Sequence, residues 1–113
     1  MAGVSILRND GVATIEIDSP ATRNALTLES AAEMMDACSD INADSEIGAA
    51  IIRGNGGTFC SGAARDVLED IGKDPTDNDR FVSLETVYKA FVQVGQLSVP
   101  TIAAVRGAAV GAG

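Results

Sequence analysis

The sequence has no histidine, no tryptophan, one tyrosine, three phenylalanines, three prolines and two cysteines. The missing histidine removes Ser-His-Asp and Cys-His nucleophilic sites, and with them the commonest metal ligand. Cys38 and Cys60 stand alone, without CxxC or His-containing spacing, so they form neither a zinc site nor a disulfide framework. They read as buried apolar thiols, and no metal is assigned. Basic residues are also scarce, 8 against 16 acids, giving a net charge of −8. That balance argues against nucleic acid and against an anionic membrane surface as partners. The sequence shows no signal peptide and no apolar stretch of about 18 residues. A reducing, soluble compartment, the cytoplasm, is the expectation.

Hydrophobic residues make up 46% of the 113 positions, a composition that supports a buried core and rules out disorder or low complexity. All the acids lie at or before Glu85, which leaves residues 86–113 with Lys89 and Arg106 as their only charges. The last quarter, Val99–Gly113 above all, is expected to be interior.

Val4–Arg8 and Val12–Asp18 have period-two character around Asn9-Asp10-Gly11, which predicts an N-terminal β-hairpin. Ser19-Pro20 breaks the second strand. Thr27 is placed to cap a helix from Leu28 to Asn42, with Glu29 in its first turn and Leu28, Ala31, Ala32, Met35 and Cys38 as the buried stripe. Ala49–Ile52 reads as a buried strand feeding a loop in which four of the twelve glycines fall between Gly54 and Gly62. Asp66–Asp79, with six acids and Pro75, suits a short helix followed by an exposed loop. Phe81, Leu84, Tyr88, Phe91 and Gly95 recur at helical spacing and predict an amphipathic helix over residues 80–97. Thr101–Val105 is a second buried strand, leading into the small-residue run Gly107–Gly113. The fold class is α/β, and two buried strands each deliver a small-residue loop at the carboxyl end, where open α/β sheets bind ligands.

Familiar nucleotide motifs do not explain those loops. Gly54-Asn55-Gly56-Gly57 follows a strand, but position six is Phe59, so G-x-G-x-x-G is not met. Gly62 is followed by Ala63 rather than Lys, so no P-loop is present, and Ser61 lacks both the G-x-S-x-G context and a base. Backbone chemistry remains. Small residues after a strand let a ligand approach main-chain N–H groups, which stabilise an oxyanion without a titratable side chain. The alternative is that the glycines and alanines merely permit tight turns and close packing.

Three segments carry a resemblance. They are Asn24-Ala25-Leu26-Thr27, then Ile51-Ile52-Arg53-Gly54 leading to Thr58-Phe59-Cys60-Ser61-Gly62-Ala63, and Pro100 through Gly113. Together and in this order they resemble the enoyl-CoA hydratase/isomerase, or crotonase, family. The resemblance implies a crotonase-like (ClpP/crotonase) spiral of ββα units that binds acyl-CoA thioesters. In that spiral two peptide N–H groups hold the thioester enolate. By position these are Ala63 and Ala112, flanked by Ser61, Gly62 and Gly111, with Arg23, Ala25 and Ala64 as candidates for contacts to the coenzyme A part of the substrate. No separate cofactor is implied. The implied reaction is hydration or isomerisation of an enoyl-CoA in fatty-acid or related metabolism. The rival reading, from a different class, is a non-catalytic acyl-CoA-binding or assembly protein.

The sequence departs from the family pattern in two places. Members often carry Asp directly after the oxyanion residue, where this chain has Ala64-Arg65-Asp66. The two general acid/base glutamates of the hydratases belong to segments with no counterpart here, and Asp66, Glu69 and Asp70 are not assigned in their place. On the resemblance, residues 1–113 are the N-terminal part of a single acyl-CoA-binding domain. Its C-terminal part is expected to be absent, as is the helical region through which members form trimers or hexamers, and the chain alone to be inactive.

Overall fold

In a computed structural model, which describes residues 3–113, the chain opens with strands β1 (Gly3–Asn9) and β2 (Val12–Asp18), paired antiparallel. Asn9 pairs with Val12 across a two-residue turn in which Asp10 and Gly11 both have positive φ, 51° and 80°. Asp-Gly suits that left-handed turn, whose twist matches the flanking strands. The expected hairpin is therefore present, and Ala13, Ile15 and Ile17 of β2 all point into the core.

Helix α1 (Leu28–Ala43) starts where the sequence places it. The Thr27 hydroxyl accepts from the Ser30 N–H at 3.1 Å, and the Ser30 hydroxyl accepts from the Thr27 N–H at 2.8 Å. This reciprocal box satisfies two otherwise orphaned donors, a cap worth about 1 kcal/mol. The buried stripe differs from the expected one. Ala31 and Cys38 are buried as expected, but Met34, Ala37 and Ile41 complete the face, while Leu28 is 43% exposed and Ala32 is exposed. A helix this rich in small apolar residues offers two overlapping stripes, and the one carrying Met34 and Ile41 meets the sheet.

Strand β3 (Ala49–Gly54) lies parallel to β2 and in register from Val12↔Ala49 to Ile17↔Gly54. It is buried on one face only. Ala50 and Ile52 enter the core, while Arg53 on the other face pairs with Glu16 across the strands. Two helices follow, α2 (Arg65–Lys73) and α3 (Asn78–Gly95), with Asp77 capping the second through the Asp79 and Arg80 N–H groups. The connecting loop is only residues 74–77. On α3 the buried residues are Val87 and Ala90, with Phe91 and Val94 packed against the core, whereas Phe81 and Tyr88 are exposed. The helix is thus rotated from the expected face, with Val87 and Ala90 innermost and Phe91 of the expected stripe at the core margin.

Strand β4 (Thr101–Ala104) pairs parallel to β3, completing the order β1-β2-β3-β4. Each parallel step is made by a helical crossover. Here the expectation of burial fails: residues 101–111 are exposed throughout, with Ile102 at 63% and Val110 at 54%. An apolar sequence does not bury a strand by itself. β4 occupies the sheet edge, and all four of its residues are exposed.

Candidate functional site

The loop after β2 and the loop after β3 are joined by a buried side chain. Pro20–Thr22 form one 3-10 turn, and Arg23 and Asn24 then take left-handed backbone with φ of 55° and 60°. Asn24 is fully buried. Its Oδ1 accepts from the Ser19 N–H at 2.8 Å, and its Nδ2 donates to the carbonyls of Thr58 (2.7 Å), Asn55 (3.0 Å) and Phe59 (3.4 Å). Ser61 adds a second tie, its hydroxyl donating to the Thr22 carbonyl at 3.1 Å.

The two loops then run side by side. Leu26 and Ala63 form an isolated parallel bridge, in which the Leu26 N–H donates to Gly62 O at 2.9 Å and the Ala64 N–H donates to Leu26 O at 2.8 Å. In such a bridge the central residue's own N–H points away from its partner. Ala63 N–H therefore faces away from Leu26, and it has no backbone or side-chain acceptor among the described residues.

A third segment closes on the same place. Phe59 and Cys60 N–H both donate to Ala108 O, at 3.0 and 3.3 Å, and Val110 N–H donates to Cys60 O at 3.0 Å. Gly113 N–H donates to Val110 O at 2.8 Å, closing a turn with Gly111 (φ 59°) and Ala112 at its centre. Gly62 has φ of 93°, and a Cβ placed on it would lie 2.9 Å from Val110 O and 3.5 Å from Ala112 N. A glycine is needed there both for the backbone angle and for the close approach of the two loops.

Of the residues singled out from the sequence, Ser61, Gly62, Ala63 and Ala64 thus lie against the Gly111-Ala112 turn on one side and the residue 22–26 loop on the other. Ala25, Gly62, Ala63 and Ala64 are buried, Ser61 and Ala112 are half-buried, and Arg23 and Gly111 are exposed. An apolar cavity of about 190 Å³ adjoins the turn, lined by Phe59, Cys60, Phe91, Val94, Ala112 and Gly113 among others. A larger cleft of about 520 Å³ includes Ala25 and Thr22, but it also carries Asp18, Glu29 and Glu33. Three carboxylates make it a poor receptor for the phosphates of a nucleotide, and Ser61, Gly62, Ala63 and Ala112 are not among its lining residues.

Residues 7–113 match the family model described as enoyl-CoA hydratase/isomerase. The chain belongs to the enoyl-CoA hydratase/isomerase family. It is 38% identical to a probable enoyl-CoA hydratase of Mycobacterium tuberculosis over 102 residues, covering 90% of this chain and 38% of that protein. It is 30% identical to a 4-chlorobenzoyl coenzyme A dehalogenase of Arthrobacter over 113 residues, covering 97% of this chain and 40% of that one. A solved structure described as an enoyl-CoA hydratase/isomerase (crotonase), from Legionella pneumophila, superposes with a TM-score of 0.85 at 20% identity, over 99% of this chain and 43% of that chain. This last likeness is one of fold, and it bears out the crotonase-like α/β architecture. The chain spans about two-fifths of the length of the curated relatives it matches.

Neither a site role for Asn24 nor the cavity beside Ala112 is legible in the sequence of this family member. Asn24 has polar neighbours in Thr22, Arg23 and Thr27, so no local contrast sets it apart in the sequence. The acids after the first loop do not enter the site. Asp70 lies 3.5 Å from Arg80 and Glu69 lies 3.9 Å from Arg65, on the surface of α2, which has no buried residue.

Cys38 and Cys60 are both 1% exposed and unpaired. Burial pushes both thiols up from the ordinary value of 9.0, with the Gly62 N–H on Cys60 Sγ (3.4 Å) partly offsetting it at Cys60. The protonated thiols are favoured by the fold. Their contribution to stability is whole below the unfolded-state pKa and is lost as pH rises through the higher folded values. The urea midpoint is therefore expected to fall between about pH 8 and about pH 10, and to fall less steeply in Cys38→Ala. Equal slopes in the two proteins would contradict the assignment. At neutral pH both thiols should resist an aromatic disulfide reagent until the chain is unfolded.

Proposed function

We propose that this chain supplies the thioester-binding part of an enzyme acting on acyl-CoA substrates, with the Ala63 and Ala112 N–H groups as the two donors to an enolate oxygen. The observation that carries the reading is the pairing of two unbonded main-chain donors. Ala63 N–H is turned away from its bridge partner, and Ala112 N is packed against Gly62, one residue before Ala63. Fixed peptide dipoles in a site with an apolar wall stabilise developing negative charge more strongly than water does, because they need no reorganisation. The apolar cavity beside Ala112 suits an acyl chain.

In this reading the substrate is an enoyl-CoA and the reaction is hydration or double-bond isomerisation in acyl-CoA metabolism, with coenzyme A entering as part of the substrate. Ser61, Gly62, Ala64 and Gly111 frame the donors, while the exposed Arg23 faces the phosphates of the coenzyme A portion and Ala25, beside the acidic cleft, faces an uncharged part of it. The whole protein acts in the cytoplasm as a trimer or hexamer. A second reading, acyl-CoA binding without catalysis, draws on one feature: among the described residues no carboxylate lines the cavity at Ala112. Thioester binding is common to both readings.

Titrating the protein with crotonyl-CoA should shift the amide resonances of Ala63 and Ala112, whereas free coenzyme A should leave these two nearly in place and move Arg23 and Ala25. Saturable thioester binding with both donor amides unmoved would overturn the proposal. Turnover on the same thioester separates the first reading from the second.

A further inference from the structure

Asn24 performs a task that neither the overall fold nor the two donor loops explain. Its side chain is fully buried and engages four backbone groups. An amide Nδ2 has two hydrogens, so the three carbonyls of Asn55, Thr58 and Phe59 share them. All three lie in the segment that delivers Ala63. The same segment passes the constraint on, because Phe59 and Cys60 N–H hold Ala108 O and Cys60 O holds the Val110 N–H at the base of the Ala112 turn. Gly54 is in contact with this carbonyl cluster: a Cβ there would meet Phe59 O, would lie 2.5 Å from Thr58 O and would lie 2.8 Å from Asn24 Nδ2. On its β3 side the carbonyl cluster is therefore packed directly against backbone, while Asn24 holds it from the other loop.

The left-handed backbone at Asn24 (φ 60°) points the same way. Asn tolerates that region better than most residues, though glycine would adopt it with less strain. The presence of a side chain there is accounted for by its four hydrogen bonds.

We propose that Asn24 is the positioning residue of this site, setting the separation of the Ala63 and Ala112 N–H groups through the carbonyls of Asn55, Thr58 and Phe59. This assignment rests on the proposed function and adds the means by which the two donors are held in place. Asn24 does not touch the thioester. Its effect falls on the enolate, which needs both donors at once, and much less on coenzyme A affinity, which depends on contacts spread along the cofactor-like portion of the substrate.

The test uses a β-ketoacyl-CoA, acetoacetyl-CoA, whose enolate absorbs in the near ultraviolet where the keto form does not. Asn24→Gly keeps the left-handed backbone without strain and removes all four bonds. The enolate-to-keto ratio of the bound ligand should fall about tenfold, with coenzyme A affinity changed by less than about threefold. Ile41→Ala, a buried position near the C-terminal end of α1, supplies a core-destabilised control and should leave the ratio as in the wild type. Should Asn24→Gly fail to fold, Asn24→Ser retains one hydroxyl donor, and a fall of about threefold is expected. An unchanged ratio in a folded Asn24 variant, or an equal fall in Ile41→Ala, overturns the positioning role alone. A wild-type protein that binds the ligand with no enolate signal overturns the oxyanion reading, and this assignment with it.

Discussion

Replacing Ala63 with proline should lower turnover of an enoyl-CoA by about a hundred- to a thousandfold in the protein that carries this chain, the range for losing one oxyanion donor. Proline deletes the N–H and places ring carbon where the hydrogen stood. At most positions that change also breaks a backbone hydrogen bond, and the two effects cannot be separated. At Ala63 they can. The bonds tying this segment to Leu26 use Gly62 O and the Ala64 N–H, not the Ala63 N–H. The residue before a proline is restricted as well, but here it is Gly62, whose lack of Cβ relieves the main clash. Coenzyme A affinity should stay within a few-fold of wild type. Ala63→Gly, which keeps the donor, should cost much less than Ala63→Pro. If proline and glycine reduce turnover equally, flexibility of the loop and not the donor is what matters, and the oxyanion role of Ala63 is wrong. Turnover unchanged in Ala63→Pro would remove the role outright.

Legibility in the sequence followed how local the determining physics is. The Asp10-Gly11 turn, the Thr27 cap and the proline break at Ser19-Pro20 depend on residues within a few positions of one another, and each lies where local rules put it. Facing is a tertiary property, and there the reading slipped. On α1 both Met34 and Met35 fit an apolar stripe, and only packing in the assembled core selects Met34. On α3 the aromatic residues Phe81 and Tyr88 gave the stronger periodic signal, yet the face that reaches α1 carries Val87 and Ala90. Hydropathy predicts an interior Val99–Gly113, whereas β4 sits at the sheet edge with residues 101–111 exposed. Hydropathy reports the tendency to be buried and does not identify what would do the burying. The site divides in the same way. Small residues after each strand announced loops that admit close approach. The contact between Gly62 and the Ala112 turn, and the hold of Asn24 on carbonyls more than thirty residues downstream, are long-range and leave no periodic trace.

Gly54→Ala should destabilise the chain by about 3–5 kcal/mol, a large share of the roughly 5–15 kcal/mol that holds a typical domain folded. Gly54 ends β3 with ordinary backbone angles, so the penalty is one of space rather than of φ. The new methyl would meet Phe59 O and lie 2.5 Å from Thr58 O, both backbone atoms that cannot swing aside as a side-chain tip does. Either the end of β3 leaves its register with Ile17 or the residue 55–59 segment moves outward. The first loses sheet pairing. The second pulls three carbonyls from Asn24, leaving a buried amide short of acceptors at about 1–3 kcal/mol, on top of about 1–3 kcal/mol for overpacking. Gly57→Ala is the contrasting case, with no atom within 4 Å of the new methyl and no positive φ, and it should lie within about 0.5 kcal/mol of wild type. Urea unfolding of the two variants measures the difference. A Gly54→Ala midpoint matching that of Gly57→Ala would mean that the loop yields easily, and a yielding loop could not hold Ala63 and Ala112 at a fixed separation. The same substitution therefore probes both the packing at the end of β3 and the rigidity on which two-donor stabilisation of an enolate depends.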